Sequence, residues 1–334
     1  MKERIPYIDS LRGLAVIFMV QQHLLSWLWN KTWYSYSLSF NEHPIALSLN
    51  FFGNFAAPLF LLIAGTGACS MWEHPGVTTV SYLKRGLFIL LCGYFLNLAT
   101  PHWFSIGSWY ILHTIGISLV IAPLLFLVGT RLLLLIMSVL LILPAFIQTW
   151  LSIPLITGNN FMNNTTGNGS ISRLAFAEGH FPIIPWLAFF IAGILCHRWL
   201  INNEKKKIIF TAIISIFSGL SLAFFYIHGF FFATGARFFR LFVFTPSIYP
   251  PHPAFILILL GIALILFYTY SNFKYFNNSL FSILIVPIGK SSLSWFFIHI
   301  IIFNELTRIL GFHRIFNSTG SLFIILLFIS AMMV

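Results

Sequence analysis

The chain has 334 residues, of which 59% are hydrophobic and only 7% charged. A soluble domain carries about 25% charged residues, so a soluble enzyme is excluded and an all-α polytopic membrane bundle, one domain over residues 1–334, is expected. Lys+Arg number 18 against 7 Asp+Glu, but in such a chain cations first set topology, and no nucleic-acid partner is expected.

The first apolar run, about residues 9–29, reads "IDSLRGLAVIFMVQQHLLSWLW" from Ile8 to Trp29 and is near the ~20 residues that span hydrocarbon. Charged groups inside a span cost roughly 2.5–3.5 kcal/mol each on insertion scales, yet this run carries Asp9, Arg12 and His23. Eleven residues separate Arg12 from His23, a rise of ~16 Å and a rotation within ~20° of three full turns, so the two share one helix face. Asp9 is placed as the i,i+3 partner of Arg12. The run is too long for a signal peptide and lacks an A-x-A site, so an uncleaved first span is expected.

Further runs fall at about 47–71, 83–99, 109–128, 131–150, 182–200, 208–228, 253–271, 285–304 and 319–334, giving roughly ten spans. Pro287 and Gly289 interrupt the ninth, whose helix is expected to begin near Lys290. The tenth reaches Val334, beyond which the chain can continue. Cys69, Cys92 and Cys196 each sit in an apolar run as small hydrophobes, with no CxxC pattern.

With the N-terminus in the cytoplasm, the inner side holds Lys2, Arg4, Arg12, Lys84, Arg85, Arg131, Arg198, Lys205, Lys206, Lys207, Lys274 and Lys290. The outer side keeps Lys31, Arg173, Arg237, Arg240, Arg308 and Arg314, an asymmetry that fits the positive-inside rule and puts both ends in the cytoplasm. Longer outer loops fall at about 30–46, 151–181 and 229–252, the middle one with the polar tip "TGNNFMNNTTGNGS". No internal repeat is seen, which disfavours an inverted-repeat transporter.

On this topology nine of the 11 histidines lie outside or in the outer half of the membrane: His23, His43, His102, His113, His180, His228, His252, His299 and His313. His23, His113 and His299 fall within roughly 6–10 Å of the outer ends of their spans. Imidazoles at one depth suit proton transfer. Metal binding is not expected, because neither an H-x-x-x-H pair nor a nearby carboxylate pair occurs. Cations inside and imidazoles outside suit a substrate with an anionic cytoplasmic end and a reactive end presented towards the exterior. Asn54, Gln22 and Ser26 are candidate oxyanion donors or helix–helix glue. Glu178 and His180, just before Pro182, are candidate acceptor contacts, with solvent exposure as their alternative. Trp27, Trp29, Trp33, Tyr34, Tyr36, Trp103, Trp109 and Tyr110 are read mainly as an interfacial belt.

"RIPYIDSLRGLAVIFMVQQH" resembles the first helix of the transmembrane acyltransferase superfamily, and the Arg-x10-His spacing resembles its acyltransferase-3 branch. The patches "APLFLLIAG", "YLKRGLFILLCGYFLN", "ILHTIG", "FPIIPWLAFFIAG", "YPPHPAFILILLG" and "IGKSSLSWFFIHI" resemble the heparan-α-glucosaminide N-acetyltransferase-like branch, in family order. The resemblance implies a bacterial, integral inner-membrane acetyltransferase that takes acetyl-CoA from the cytoplasm and acetylates a sugar or glycan amine or hydroxyl on the far side. In it His23 matches the family's first-helix histidine and His299 the one near its end. A thioester reaching His23 would make that residue a catalytic base or acetyl acceptor, and His113 joins the two by its similar depth. Arg12 and Arg85 match the motifs facing CoA, and Lys84 and Lys290 join them as cations for its phosphates. Expected partners are acetyl-CoA, the glycan acceptor and membrane lipids, with a homodimer left open. The alternative reading is a transporter or flippase for a glycolipid or anion without acyl transfer.

Overall fold

The structure, a computed structural model, describes residues 6–31, 42–162, 171–229, 239–245, 248–272 and 280–333. Lys2, Arg4, Trp33, Tyr34, Tyr36, Arg237, Lys274 and the 163–170 part of the polar loop tip lie outside the described residues. The main helices are α1 (Pro6–Leu28), α2 (Pro44–Gly53), α3 (Ala56–Trp72), α4 (Thr79–Ala99), α5 (Ile111–Leu127) and α6 (Thr130–Trp150). They continue as α7 (Ile183–Ile201), α8 (Lys206–Ile227), α9 (Pro253–Asn272), α10 (Leu280–Lys290), α11 (Ser292–Ile300) and α12 (Ser318–Met332). Among the described residues there is no β-strand, only an isolated bridge between Trp29 and Phe316.

Each of the expected apolar runs carries helix. Among the described residues seven helices are long and apolar enough to cross a membrane, with α2 and α3 together forming one of them. A bent pair, Ile283–Lys290 with Ser292–Ile309, makes an eighth, and α5 and α12 are shorter apolar helices. The chain is thus an all-α polytopic helical bundle.

Two sequence expectations are corrected. The ninth run does not begin its helix near Lys290: α10 runs through Pro287 and Gly289, and the interruption falls at Ser291, where the chain bends by 77°. Proline removes a single hydrogen bond, which a packed membrane helix tolerates. Nor do Trp27, Trp29, Trp109 and Tyr110 form a lipid-facing belt, since all four are buried. Trp109 Nε1 donates to Thr114 Oγ1 at 3.0 Å and Tyr110 Oη to the Gly93 carbonyl at 2.8 Å, which satisfies the polar atom that burial would otherwise penalise.

The chain divides into two compact units, residues 1–60 with 269–334 and residues 61–268. In the first, α1 is the hub against which α2, α10, α11 and α12 pack. Its contact with α10 is glycine-mediated: a Cβ on Gly13 would strike Ile285, and one on Gly289 would strike the Asp9 carbonyl. Without a hydrophobic drive between apolar helices, such close backbone approach supplies the packing.

In the second unit α7 is the enclosed element, 78% of its span window buried against 22% for α4. Gly65 and Gly193 bring α3 onto α7, each facing backbone of the other helix, and Thr66 Oγ1 donates to the Gly193 carbonyl at 3.0 Å. Gly193→Leu is therefore expected to force the pair apart and destabilise the protein by about 1–3 kcal/mol or more. The check is a lowered unfolding temperature in detergent; a Gly193→Leu protein melting with the parent would remove this contact from the core.

Candidate active site

In the first unit α1 holds Arg12 and His23 on one face. Arg12 Nη1 donates to Asp9 Oδ1 at 2.8 Å, the i,i+3 pairing expected from spacing, with the Asp9 side chain 8% exposed and that of Arg12 30%. Gly289 packs onto the Asp9–Gly13 backbone, so Lys290, at the C-terminus of α10, lies at this same end of the unit. Lys290 is exposed and makes no hydrogen bond or ion pair among the described residues.

His23 meets His299 of α11, 276 residues away in sequence: His23 Nδ1 lies 2.9 Å from His299 Nε2. The rings stack at 13° with centroids 5.2 Å apart, and Trp27 lies against both, at 5.1 Å from His23 and 5.9 Å from His299. His299 is fully buried and His23 half-buried.

The remaining ring nitrogen of His299, Nδ1, lies 2.7 Å from the Trp295 carbonyl. A carbonyl only accepts, so His299 Nδ1 carries the proton and donates. His299 Nε2 in the neutral ring then holds a lone pair, which must accept from His23 Nδ1–H. That leaves His23 Nε2 unprotonated, with no partner among the described residues. The tautomers follow from the partners. A carbonyl thus orders one imidazole, which orders a second, and the second keeps a lone pair for chemistry.

Around this pair, Gln22 Nε2 donates to the Asn50 carbonyl at 3.1 Å and to Asn50 Oδ1 at 3.2 Å. Ser26 Oγ donates to the Gln22 carbonyl at 2.9 Å. Both side chains are occupied as helix ties. Asn54 differs: it follows Gly53, which packs on Gln22, and its buried carboxamide has no partner among the described residues.

In the second unit His113 is fully buried at the start of α5 among Tyr94, Trp109 and Tyr110. Its Nδ1 accepts from the Tyr110 backbone N–H at 3.3 Å, so Nε2 bears the proton. That edge faces Gly93, where an added Cβ would stand 2.9 Å from Nε2. The lone pair of His113 is therefore already used in ordering the helix start. Glu178 is buried rather than solvent-exposed and pairs with Arg173 at the end of a π-helical turn, Leu174–Glu178. His180 is buried too, edge-on to Phe104 and Tyr249, and its backbone N–H donates to the Trp109 carbonyl at 2.9 Å. Lys84 and Arg85 are exposed near the start of α4, without hydrogen bonds or ion pairs among the described residues.

Asn304 and Glu305 were not among the sequence candidates. Both are buried in the π-helical turn Ile301–Leu306 after α11, where Asn304 Nδ2 donates to Glu305 Oε1 at 2.8 Å. An acidic residue ending an apolar run is the signal that points to them. No group of three or more His, Cys, Asp or Glu among the described residues could hold a metal.

No curated protein matches the chain. Residues 4–230, about two thirds of the 334, match the family described as heparan-alpha-glucosaminide N-acetyltransferase, catalytic. The match takes in α1 with its Arg12–His23 face, and the chain belongs to this family of acetyltransferases.

Proposed function

We propose that the protein is a bacterial inner-membrane enzyme that moves an acetyl group from cytoplasmic acetyl-CoA to an amine or hydroxyl of a sugar or glycan on the other side. In this reading His23 is the reacting imidazole. The observation that carries it is the ordered chain from the Trp295 carbonyl through His299 to His23, which ends in a free Nε2 lone pair.

Two routes use that lone pair. As a general base, Nε2 takes the proton of the acceptor N–H or O–H while the acceptor bonds to the thioester carbonyl carbon. The C–S bond breaks, and the imidazolium returns the proton to the CoA thiolate. As a nucleophile, Nε2 itself bonds to the carbonyl carbon and the thiolate leaves. The Nδ1 proton then passes to His299 Nε2, giving a neutral acetyl-imidazole. The acceptor then bonds to the acetyl carbon as the carbon–Nε2 bond breaks, His299 returns its proton to His23 Nδ1, and the acceptor's own proton goes to the CoA thiolate. In both routes His299 is a positioning residue that absorbs charge from His23, and the Asn54 carboxamide is the candidate donor to the developing oxyanion. His299→Gln, whose carboxamide oxygen can still accept from His23 Nδ1–H, should retain more turnover than His299→Phe.

Arg12 and Lys290, at one end of the first unit, are cations for the CoA phosphates in this reading, and Lys84 and Arg85 of the second unit are a separate candidate pair. A contact of Glu178 with an acceptor would first require its pairing with Arg173 to open, and His180 would first have to be uncovered, since its side chain is buried. Incubating the purified protein with radiolabelled acetyl-CoA and glucosamine tests the function. Label on sugar or protein supports it, and neither, in protein that binds CoA, rejects it.

The proposed orientation is tested separately. In a background with Cys69, Cys92 and Cys196 changed to alanine, a cysteine at Asn317 should react with an impermeant thiol reagent from outside the cell. One at Lys206 should react only after permeabilisation. Both positions are exposed in the fold. The opposite pattern would overturn the assignment of sides.

A further inference from the structure

Beyond the last turn of α1, the loop following α11 and its π-helical turn returns to pair with the helix end. Arg314 N donates to the Trp27 carbonyl at 2.8 Å, Phe316 N to the Leu28 carbonyl at 3.0 Å, and Asn30 N to the Phe316 carbonyl at 2.8 Å. Arg314 has φ +57, a left-handed conformation that costs a non-glycine residue roughly 1–2 kcal/mol and persists only where surrounding contacts hold it. Its side chain is also fixed, Nε donating to the Ser26 carbonyl at 3.2 Å. Ser26 is one helical turn from His23.

Arg308 is anchored in the same manner, Nε donating to Asn304 Oδ1 at 3.2 Å. In both arginines the two terminal nitrogens, the prongs that grip an oxyanion bidentately, have no partner among the described residues. Arg308 and Arg314 act electrostatically on each other and on His313 between them. Burial and these two guanidiniums hold His313 down to about 4, so its imidazole is neutral at pH 7, and its buried Nε2 is unpaired. Glu305, whose Oε1 accepts from Asn304, offsets part of the Arg308 charge and is not among the charges that act on His313. Lys31, at the same helix end, is engaged with His43 at 2.9 Å. Two like charges that act on each other, each anchored through its Nε, are lowered in energy by an anion that both can reach.

We propose that Arg308 and Arg314 form an oxyanion-binding subsite that selects an acceptor carrying a phosphate or carboxylate next to the group to be acetylated. The subsite lies outside residues 4–230, so the family match does not assign it. It rests on the proposed acetyl transfer at His23, one turn away, for its meaning but not for its detection.

The test uses the full chain in nanodiscs of zwitterionic lipid and measures binding directly. Glucosamine 6-phosphate is expected to bind at least tenfold tighter than glucosamine, and inorganic phosphate to compete with it. Arg314→Gln should remove that preference and Arg314→Lys restore part of it, with the effect in KM rather than kcat. Equal binding of the two sugars to the parent protein would overturn the subsite. So would a site whose phosphate competition appears only against phosphatidylglycerol added to the nanodisc, which would make the occupant a lipid headgroup. Tight binding of the sugar phosphate without acetyl transfer would reject the enzymatic reading and keep the subsite. Transfer without charge preference would do the reverse.

Discussion

His23→Ala is expected to abolish acetyl transfer while leaving CoA binding and folding nearly intact. The imidazole acts on the reacting atoms alone, and loss of a general base costs ~10²–10⁴-fold in rate, with a nucleophile costing more. Folding should survive because His23 is half-buried and its one side-chain hydrogen bond among the described residues is to His299. The substitution does strand His299 Nε2 in a buried site, a cost of about 1–3 kcal/mol. His23→Ala with His299→Phe removes that penalty and separates a folding defect from a chemical one. Both variants should bind CoA like the parent and fail to transfer. Near-normal turnover in folded His23→Ala would return this histidine to a packing role. Loss of CoA binding in a well-folded variant would move it from chemistry to binding. His113→Ala should be milder, because the lone pair of His113 is spent on the Tyr110 N–H.

Much of this site is legible in the amino-acid sequence. A strict helical period places Arg12 and His23 on one face whatever surrounds them, and Asp9 meets Arg12 as i,i+3 spacing requires. The spans are legible because apolar length alone identifies them. His299 is legible as a histidine at similar depth but not as the partner of His23, since the contact depends on how α11 is set after the bend at Ser291. The order of protons along the pair is out of the sequence's reach, as it follows from the Trp295 carbonyl one turn back. Solvent exposure is the wrong expectation for Glu178 because its partner, Arg173, reaches it only across a π-helical turn. The tryptophans mislead for a related reason. An indole beside a span end is equally suited to the interface and to a core that supplies an acceptor.

The second large effect is expected on CoA. Lys290→Glu and Arg85→Glu should each weaken CoA binding by more than tenfold, since a charge-assisted contact to a phosphate is worth about 1.5–3 kcal/mol and reversal adds repulsion. These two are clean probes: each is exposed and makes no hydrogen bond or ion pair among the described residues, so folding loses no such pairing with either. Arg12 needs more care. It neutralises Asp9, whose side chain is 8% exposed against 30% for its own, and leaving that acceptor buried and unpaired costs about 1–3 kcal/mol. Arg12→Gln alone would confuse instability with lost affinity. Asp9→Asn with Arg12→Gln deletes the pair together and should fold, yet lose CoA affinity as the single reversals do. The losses should shrink as salt rises, because exposed charges are screened within about 10 Å at 0.1 M. Unchanged CoA affinity in the Lys290, Arg85 and paired variants would place the phosphates elsewhere and sever the proposed path from Arg12 to His23.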